Sequence, residues 1–147
     1  MNTVTTHIVE RPKAHLHSPR SKARLWIGRF ASGASILFLL MDGLMKLVKP
    51  APVIEGTLQL GYPESIITAL GVILLTCVIL YAIPRTAFLG ALLLTGYLGG
   101  AVATHVRIGN PLFSHILFPV YLAVIIWAGL ALRQPKLAEV LGRGTRE

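Results

Sequence analysis

Four long apolar stretches separated by short polar segments dominate the pattern of hydrophobic and polar positions. The stretches cover residues 25–47, 66–83, 87–106 and 112–132. Because a helix rises about 1.5 Å per residue, about twenty residues cross the roughly 30 Å hydrocarbon layer of a membrane. The pattern predicts an all-α fold, an antiparallel four-helix transmembrane bundle over residues 24–133. Basic tails, 1–23 and 134–147, flank this domain.

Prolines and glycines mark features within and between the predicted helices. The segment Lys49–Pro52 ends the first span, because proline cannot continue the hydrogen bonding of a helix. Residues 53–60 are semi-apolar and predict a short helix on the bilayer surface. Pro119 lies inside the fourth span, where its missing amide hydrogen predicts a kink. The spacing of Gly96 and Gly100 predicts close helix packing, within the chain or between chains.

Composition supports a membrane protein. Hydrophobic residues make up 54% of the chain and charged residues 14%, whereas a soluble domain has about 25% charged residues. The mean hydropathy is +0.67. The net charge of +8 does not indicate nucleic-acid binding, because the cations lie in tails and short loops. The single cysteine, Cys77, lies in an apolar stretch; it is predicted to be buried and has no second thiol for a disulfide.

The distribution of lysine and arginine predicts the orientation of the bundle. Ten of these residues fall in the two tails, at their junctions with the bundle (Arg24 and Arg133) and in the turn between the second and third spans, and three fall at the other end. Cytoplasmic segments of membrane proteins carry an excess of basic residues. Both termini are therefore predicted to be cytoplasmic, in a multi-pass protein of the bacterial inner membrane.

Most polar and ionisable residues outside the tails fall at the opposite, outer end. Asp42 and Lys46 are one helical turn apart and share a helix face. The full set of candidate ligand-binding or polar-network residues is Asp42, Lys46, Glu64, His105, Arg107, Asn110 and His115. Ionisable groups gathered at the mouth of an apolar bundle indicate a site. The alternative is a polar network that stabilises helix ends and loops.

The residues of this outer cluster suit quinone binding better than haem or metal ligation. A quinone site requires an apolar pocket with a donor and a proton acceptor, roles that His105 with Asp42 or His115 suit. Bis-histidine haem ligation by His105 and His115 is disfavoured, because no further haem signature accompanies them. No metal site is predicted, and the histidines of the amino-terminal tail are expected to be solvated. That tail set is His7, His15 and His17.

Several segments resemble the DoxX-like family of small four-helix bacterial membrane proteins. The segments are Phe38–Leu47 with Pro50 and Gly56, Leu60–Pro63, Gly96–Ala101, and His105–Arg107 with Pro111. The resemblance extends over residues 24–133 and implies four transmembrane helices in the inner membrane. The family name derives from quinone-linked sulfur oxidation, and wider relatives work beside redox enzymes or assist other membrane proteins. A dithiol role does not carry over, because Cys77 stands alone.

Three functional hypotheses follow. The first is an accessory, non-enzymatic membrane protein, a partner of a membrane redox complex or a homo-oligomer. The second is a quinone- or lipid-binding oxidoreductase subunit with its site at the outer end. A transporter ranks last, because the cytoplasmic half of the bundle is nearly free of polar residues. A binder predicts a cavity bordered by Asp42, His105 and His115. An accessory protein predicts those groups paired with Lys46 and Arg107, without a cavity.

Overall fold

A computed structural model describes residues 19–134 of the chain. The predicted tails, 1–23 and 134–147, lie almost wholly outside these residues, as do the three tail histidines. The described part is helical, with short connections. Its helices are α1 Pro19–Val48, α2 Ala51–Gln59, α3 Ile67–Ala82, α4 Ala87–Arg107 and α5 Phe118–Arg133; a 3₁₀ turn, Glu64–Ile66, precedes α3 and a π-helical turn, Leu112–Ile116, precedes α5.

The all-α prediction and the four apolar spans are confirmed. The helices long and apolar enough to cross a membrane are Lys22–Val48, Glu64–Ala82, Ala87–Arg107 and Leu112–Arg133. Helix α1 extends beyond the predicted apolar segment to Pro19, because proline is tolerated in the first turn of a helix. The predicted short helix at 53–60 is observed as α2.

The four long helices pack as a ring. Helices α1 and α4 each pack against both α3 and α5. The shared core is apolar and includes Leu39, Leu74, Leu94, Leu122 and Ile126. Cys77 lies in this core and is 5% exposed, as predicted.

The outward faces of the long helices are apolar. Phe30 is 80% exposed and Leu37 71% exposed on α1, and Val124 is 62% exposed on α5. Soluble monomers rarely expose such extended apolar surface. Lipid chains would cover these side chains at no hydrophobic cost, so the surface fits a bundle embedded in a bilayer.

A buried polar chain lies in the core near the end of α3. The Tyr81 hydroxyl donates to the Ile126 carbonyl at 2.8 Å and lies 3.0 Å from the Ser32 hydroxyl. Because its one proton is used on Ile126, Tyr81 accepts from Ser32. The Arg133 guanidinium lies over the Tyr81 ring at 4.6 Å and donates to the Tyr81 carbonyl at 3.0 Å. These contacts join α1, α3 and α5.

Gly96 and Gly100 make no close helix contact within the described part of the chain. A Cβ built at either position meets no atom within 4 Å. Close contacts lie instead at other glycines, among them Gly28, Gly129 and Gly90. A Cβ at Gly28 would lie 2.7 Å from Leu132 Cβ, one at Gly129 would lie 2.6 Å from Ser32 Oγ, and one at Gly90 would overlap the Tyr81 backbone. Packing of Gly96 and Gly100 between chains stays a prediction.

The fourth span is interrupted near Pro119, as predicted. The Leu117 amide donates to the Leu112 carbonyl, five residues earlier, at 2.9 Å. The regular helix α5 then begins at Phe118. Because Pro119 has no amide hydrogen, the His115 carbonyl, four residues earlier, receives no helical hydrogen bond from it, and the chain before Pro119 can leave the regular α-helical pattern. The π-helical turn carries His115 to the end of the bundle.

Gly90→Ala is expected to destabilise the bundle by about 1–3 kcal/mol, because the new methyl group overlaps the backbone of the neighbouring helix. Thermal unfolding in detergent can be followed with a thiol-reactive fluorescent dye, since Cys77 is buried in the fold. Gly96→Ala is the matched control on the same helix and should leave the midpoint unchanged or slightly raised. Equal midpoints for both variants would contradict this account of α3–α4 packing.

Candidate functional site

A cavity of about 850 Å³ lies at the α2 end of the bundle. Helices α1, α4 and α5 form its walls and α2 lies across it. Its apolar lining includes Phe38, Leu39, Leu98, Phe118 and Leu122. Its polar lining consists of Asp42, Lys46, Thr57, Gln59, Tyr62, Tyr97, Thr104, His105, Asn110 and His115. An apolar space with a few convergent polar groups is typical of a small-molecule site.

Asp42 and Lys46 form an ion pair on the α1 wall. Lys46 Nζ donates to Asp42 Oδ1 at 2.5 Å, with the spacing that the sequence predicts. The side chains are 18% exposed for Lys46 and 41% for Asp42. Since the two charges cancel, this wall presents a dipole rather than a net charge.

His105, Asn110 and His115 meet on the opposite wall. The turn at Gly109, where φ is +70°, reverses the chain between the two histidines. Asn110 Nδ2 lies 2.7 Å from His105 Nδ1. The two imidazole rings stand edge to face with centroids 5.7 Å apart. The Ser114 hydroxyl lies 2.7 Å from His115 Nδ1.

Arg107 and Glu64 fall outside the cavity lining. Arg107 Nη2 donates to the Leu60 carbonyl at 2.8 Å, and its guanidinium lies 5.8 Å from the Tyr62 ring centroid. It therefore holds the connection after α2 to the end of α4 and does not pair with Asp42. Glu64 is exposed in the 3₁₀ turn before α3.

Tyr62 and Thr104 form a hydroxyl chain that sequence reasoning missed. Thr104 Oγ1 donates to the Gly100 carbonyl at 2.9 Å and lies 2.8 Å from the Tyr62 hydroxyl. Because the Thr104 proton is used, Tyr62 donates to Thr104. Tyr97 was missed as well, because a single tyrosine in an apolar stretch is usually a core residue. The structure places it in the lining, packed against the core.

Helix α2 forms a roof over the cavity. Its close packing is on the turn Glu64–Ile66, and the long helices approach it much less. Left-handed backbone conformations lie on both sides of it, at Lys49 with φ 55° and at Gly61 with φ 80°. Two hydrogen bonds fix the carboxyl-terminal end of α2 to α4: Arg107 donates to the Leu60 carbonyl, and Tyr62 donates to Thr104.

The sequence comparison identifies the family. Residues 30–129 match the sequence profile described as the DoxX-like family. The chain belongs to the DoxX-like family. Comparison with curated proteins and with solved structures found no match. Every residue that lines the cavity lies inside the matched segment. Family membership and the four apolar helices together indicate a multi-pass membrane protein.

The cavity of this DoxX-like protein is mixed in polarity. Within residues 19–134, no group of three or more His, Cys, Asp and Glu side chains is placed to hold a metal ion. Around the cavity, one ion pair and several neutral hydrogen-bonding groups face apolar walls. Such a lining orients the polar end of a ligand whose remainder is apolar.

Arg107→Ala is expected to loosen the roof, because the Leu60 carbonyl loses its charged donor. Hydrogen bonds to charged groups contribute about 1.5–3 kcal/mol, so amide exchange in residues 56–62 should accelerate about tenfold or more. Hydrogen–deuterium exchange with mass spectrometry measures this. Arg85→Ala, in the exposed turn between α3 and α4, is the control. Unchanged exchange in residues 56–62 would show that Arg107 does not fasten α2.

Proposed function

We propose that this DoxX-like protein binds a neutral amphipathic molecule of the quinone or lipid-like type in the cavity under α2. The observation that carries the proposal is the cavity itself, bordered by Asp42, His105 and His115. A purely structural polar network would fill this end of the bundle with paired groups and leave no such space. The volume of about 850 Å³ lies within the range of roughly 300–1,000 Å³ for ligand pockets.

The lining supports an amphipathic ligand. Leu39, Leu98 and Leu122 face the same space as the polar groups, so the apolar part of a ligand can lie against the core. Its polar end can then reach the groups that neighbour α2. A membrane-soluble molecule combines these two parts, and the bilayer supplies it at high local concentration.

The charge balance favours a neutral ligand. In the lining, Asp42 carries a negative charge and its partner Lys46 a positive one. Arg107 and Glu64, the other charged candidates, lie outside. An ionic ligand would bring a charge that this neutral pair leaves uncompensated in a partly apolar space, which is costly.

An accessory role is the second candidate. The observation that favours it is the closed Asp42–Lys46 pair, which an interfacial network would also contain. In that case the protein would serve a membrane redox complex as a partner. The two roles are compatible, since an accessory subunit that holds quinone would deliver it to such a complex.

We also propose that both termini face the cytoplasm of the bacterial inner membrane and that the cavity opens at the outer side. Lys22, Arg24, Arg85 and Arg133 lie at the end of the bundle remote from α2, where the two tails add further cations, whereas only Lys46, Lys49 and Arg107 among the described cations lie at the α2 end. This distribution follows the positive-inside rule.

Gly96→Leu is expected to remove bound ligand, because its side chain enters the open space beside Gly96. The measurement is mass spectrometry of the lipids and quinones retained by protein purified in mild detergent. Ala103→Leu, on an exposed face of the same helix and outside the lining, is the control and should retain the ligand. Wild-type protein free of stoichiometric quinone or lipid would refute the binding role and leave the accessory one.

Orientation is tested with Glu64→Cys and Arg85→Cys, each combined with Cys77→Ala. A membrane-impermeant maleimide applied to intact spheroplasts should label Glu64→Cys. It should label Arg85→Cys only after the membrane is permeabilised. The reverse labelling pattern would place the termini outside.

A further inference from the structure

We infer that the cavity selects ligands whose polar end accepts hydrogen bonds, because Asn110 holds His105 in the tautomer that donates from Nε2. This inference rests on the proposed ligand-binding function and names the ligand class more closely. It assigns Asn110 as a positioning residue and assigns His105 and Tyr97 as the donors to the ligand.

The tautomer follows from the contact between Asn110 and His105. Asn110 Nδ2, an amide nitrogen that can only donate, lies 2.7 Å from His105 Nδ1. Nδ1 must therefore accept, so the proton of the neutral imidazole lies on Nε2. Among residues 19–134, His105 Nε2 has no hydrogen-bond partner, and the ring lines the cavity.

Tyr97 supplies a second donor. Its side chain lines the cavity from the same helix, two turns before His105. Within the part of the chain that the structure describes, its hydroxyl makes no hydrogen bond. By contrast, the hydroxyl protons of Tyr62 and Thr104 are both used within the protein. The two tyrosines of the lining therefore differ: Tyr62 is structural and Tyr97 is available.

Lys46 adds further donors to the lining. Lys46 uses one of its three protons on Asp42 and retains two. Asp42 is the one charged acceptor of the described lining, and its Oδ1 is engaged by Lys46. Among the described residues, the Tyr97 hydroxyl and His105 Nε2 are not among the buried unpaired atoms, so both are open to the cavity and free to donate to a ligand. A carbonyl oxygen on a neutral ligand can accept from both Tyr97 and His105.

The chemical class is thus a neutral amphipathic carbonyl compound. Two membrane sources supply it: a quinone, with ring carbonyls, or a glyceride, with ester carbonyls. Three probes separate the alternatives: a decyl-substituted benzoquinone, dioctanoylglycerol, and decylbenzene, which has a similar apolar body without an acceptor.

The first test is nuclear magnetic resonance of ¹⁵N-histidine-labelled full-length protein in detergent, with His105 assigned by the spectrum of His105→Gln. His105 Nδ1 should be unprotonated and Nε2 protonated. Asn110→Asp preserves the side-chain size but removes the donor, so Nδ1 should gain a proton. A proton on Nδ1 in the wild-type protein overturns the inference. This readout requires no ligand and is therefore independent of the proposed function.

The second test is equilibrium binding of the three probes. At least one carbonyl probe should bind about tenfold or more tightly than decylbenzene, and the tighter of the two identifies the source. Tyr97→Phe should weaken carbonyl-probe binding about fivefold and leave decylbenzene unchanged. Tyr121→Phe, which alters an exposed phenol outside the lining, is the control. Equal binding of all three probes overturns the ligand class alone. Absence of binding by every probe overturns the proposed function and the ligand class together.

Discussion

Close approach of helix backbones at glycine is the contact on which the rest of the structure depends. Inside a membrane, apolar side chains gain little from leaving lipid for protein, so packing and polar contacts hold helices together. Gly28 and Gly129 allow α1 to meet α5, and Gly90 allows α4 to meet the end of α3. The bonds of Tyr81 to Ser32 and Ile126 lie beside these contacts and satisfy the buried hydroxyls. One end of the bundle is thereby closed.

The cavity forms because the helices approach each other less closely at the α2 end of the bundle. Gly96 and Gly100 have no neighbour within 4 Å of a Cβ, although they lie on the same helix as Gly90. Gly43 does bring α1 close to α3, where its Cβ would lie 2.6 Å from Leu75. Helix α1 therefore stays near α3 while α4 leaves open space towards α2. The same residue type closes the bundle at one end and keeps it open at the other.

The sequence predicts the residues at helix ends better than those in helix interiors. Asp42 pairs with Lys46 because helical spacing alone brings them together. His105, Asn110 and His115 converge because a short turn leaves them little freedom. The rotation of each helix about its own axis is set by packing in three dimensions. Linear spacing does not contain this rotation, so it could not tell whether Gly96 and Gly100 face a neighbouring helix of the same chain, and they do not. Tyr97 was missed for the same reason, since an aromatic residue in an apolar stretch faces core or cavity according to that rotation.

The open face of α4 bears on the proposed ligand-binding role. Empty space in a protein interior lowers stability, because the atoms around it lose contacts that a larger side chain would provide. Alanine or leucine would suit the middle of this helix better than glycine by intrinsic propensity. Glycine at positions 96 and 100 therefore gives up both the helix propensity and the packing contacts that a larger residue would provide. The volume requirement of the proposed ligand accounts for this combination, and close packing against a second chain is the competing account. The polar groups then fall where such a molecule would place its carbonyl end, with Tyr97 and His105 on one wall and the Asp42–Lys46 dipole on the other.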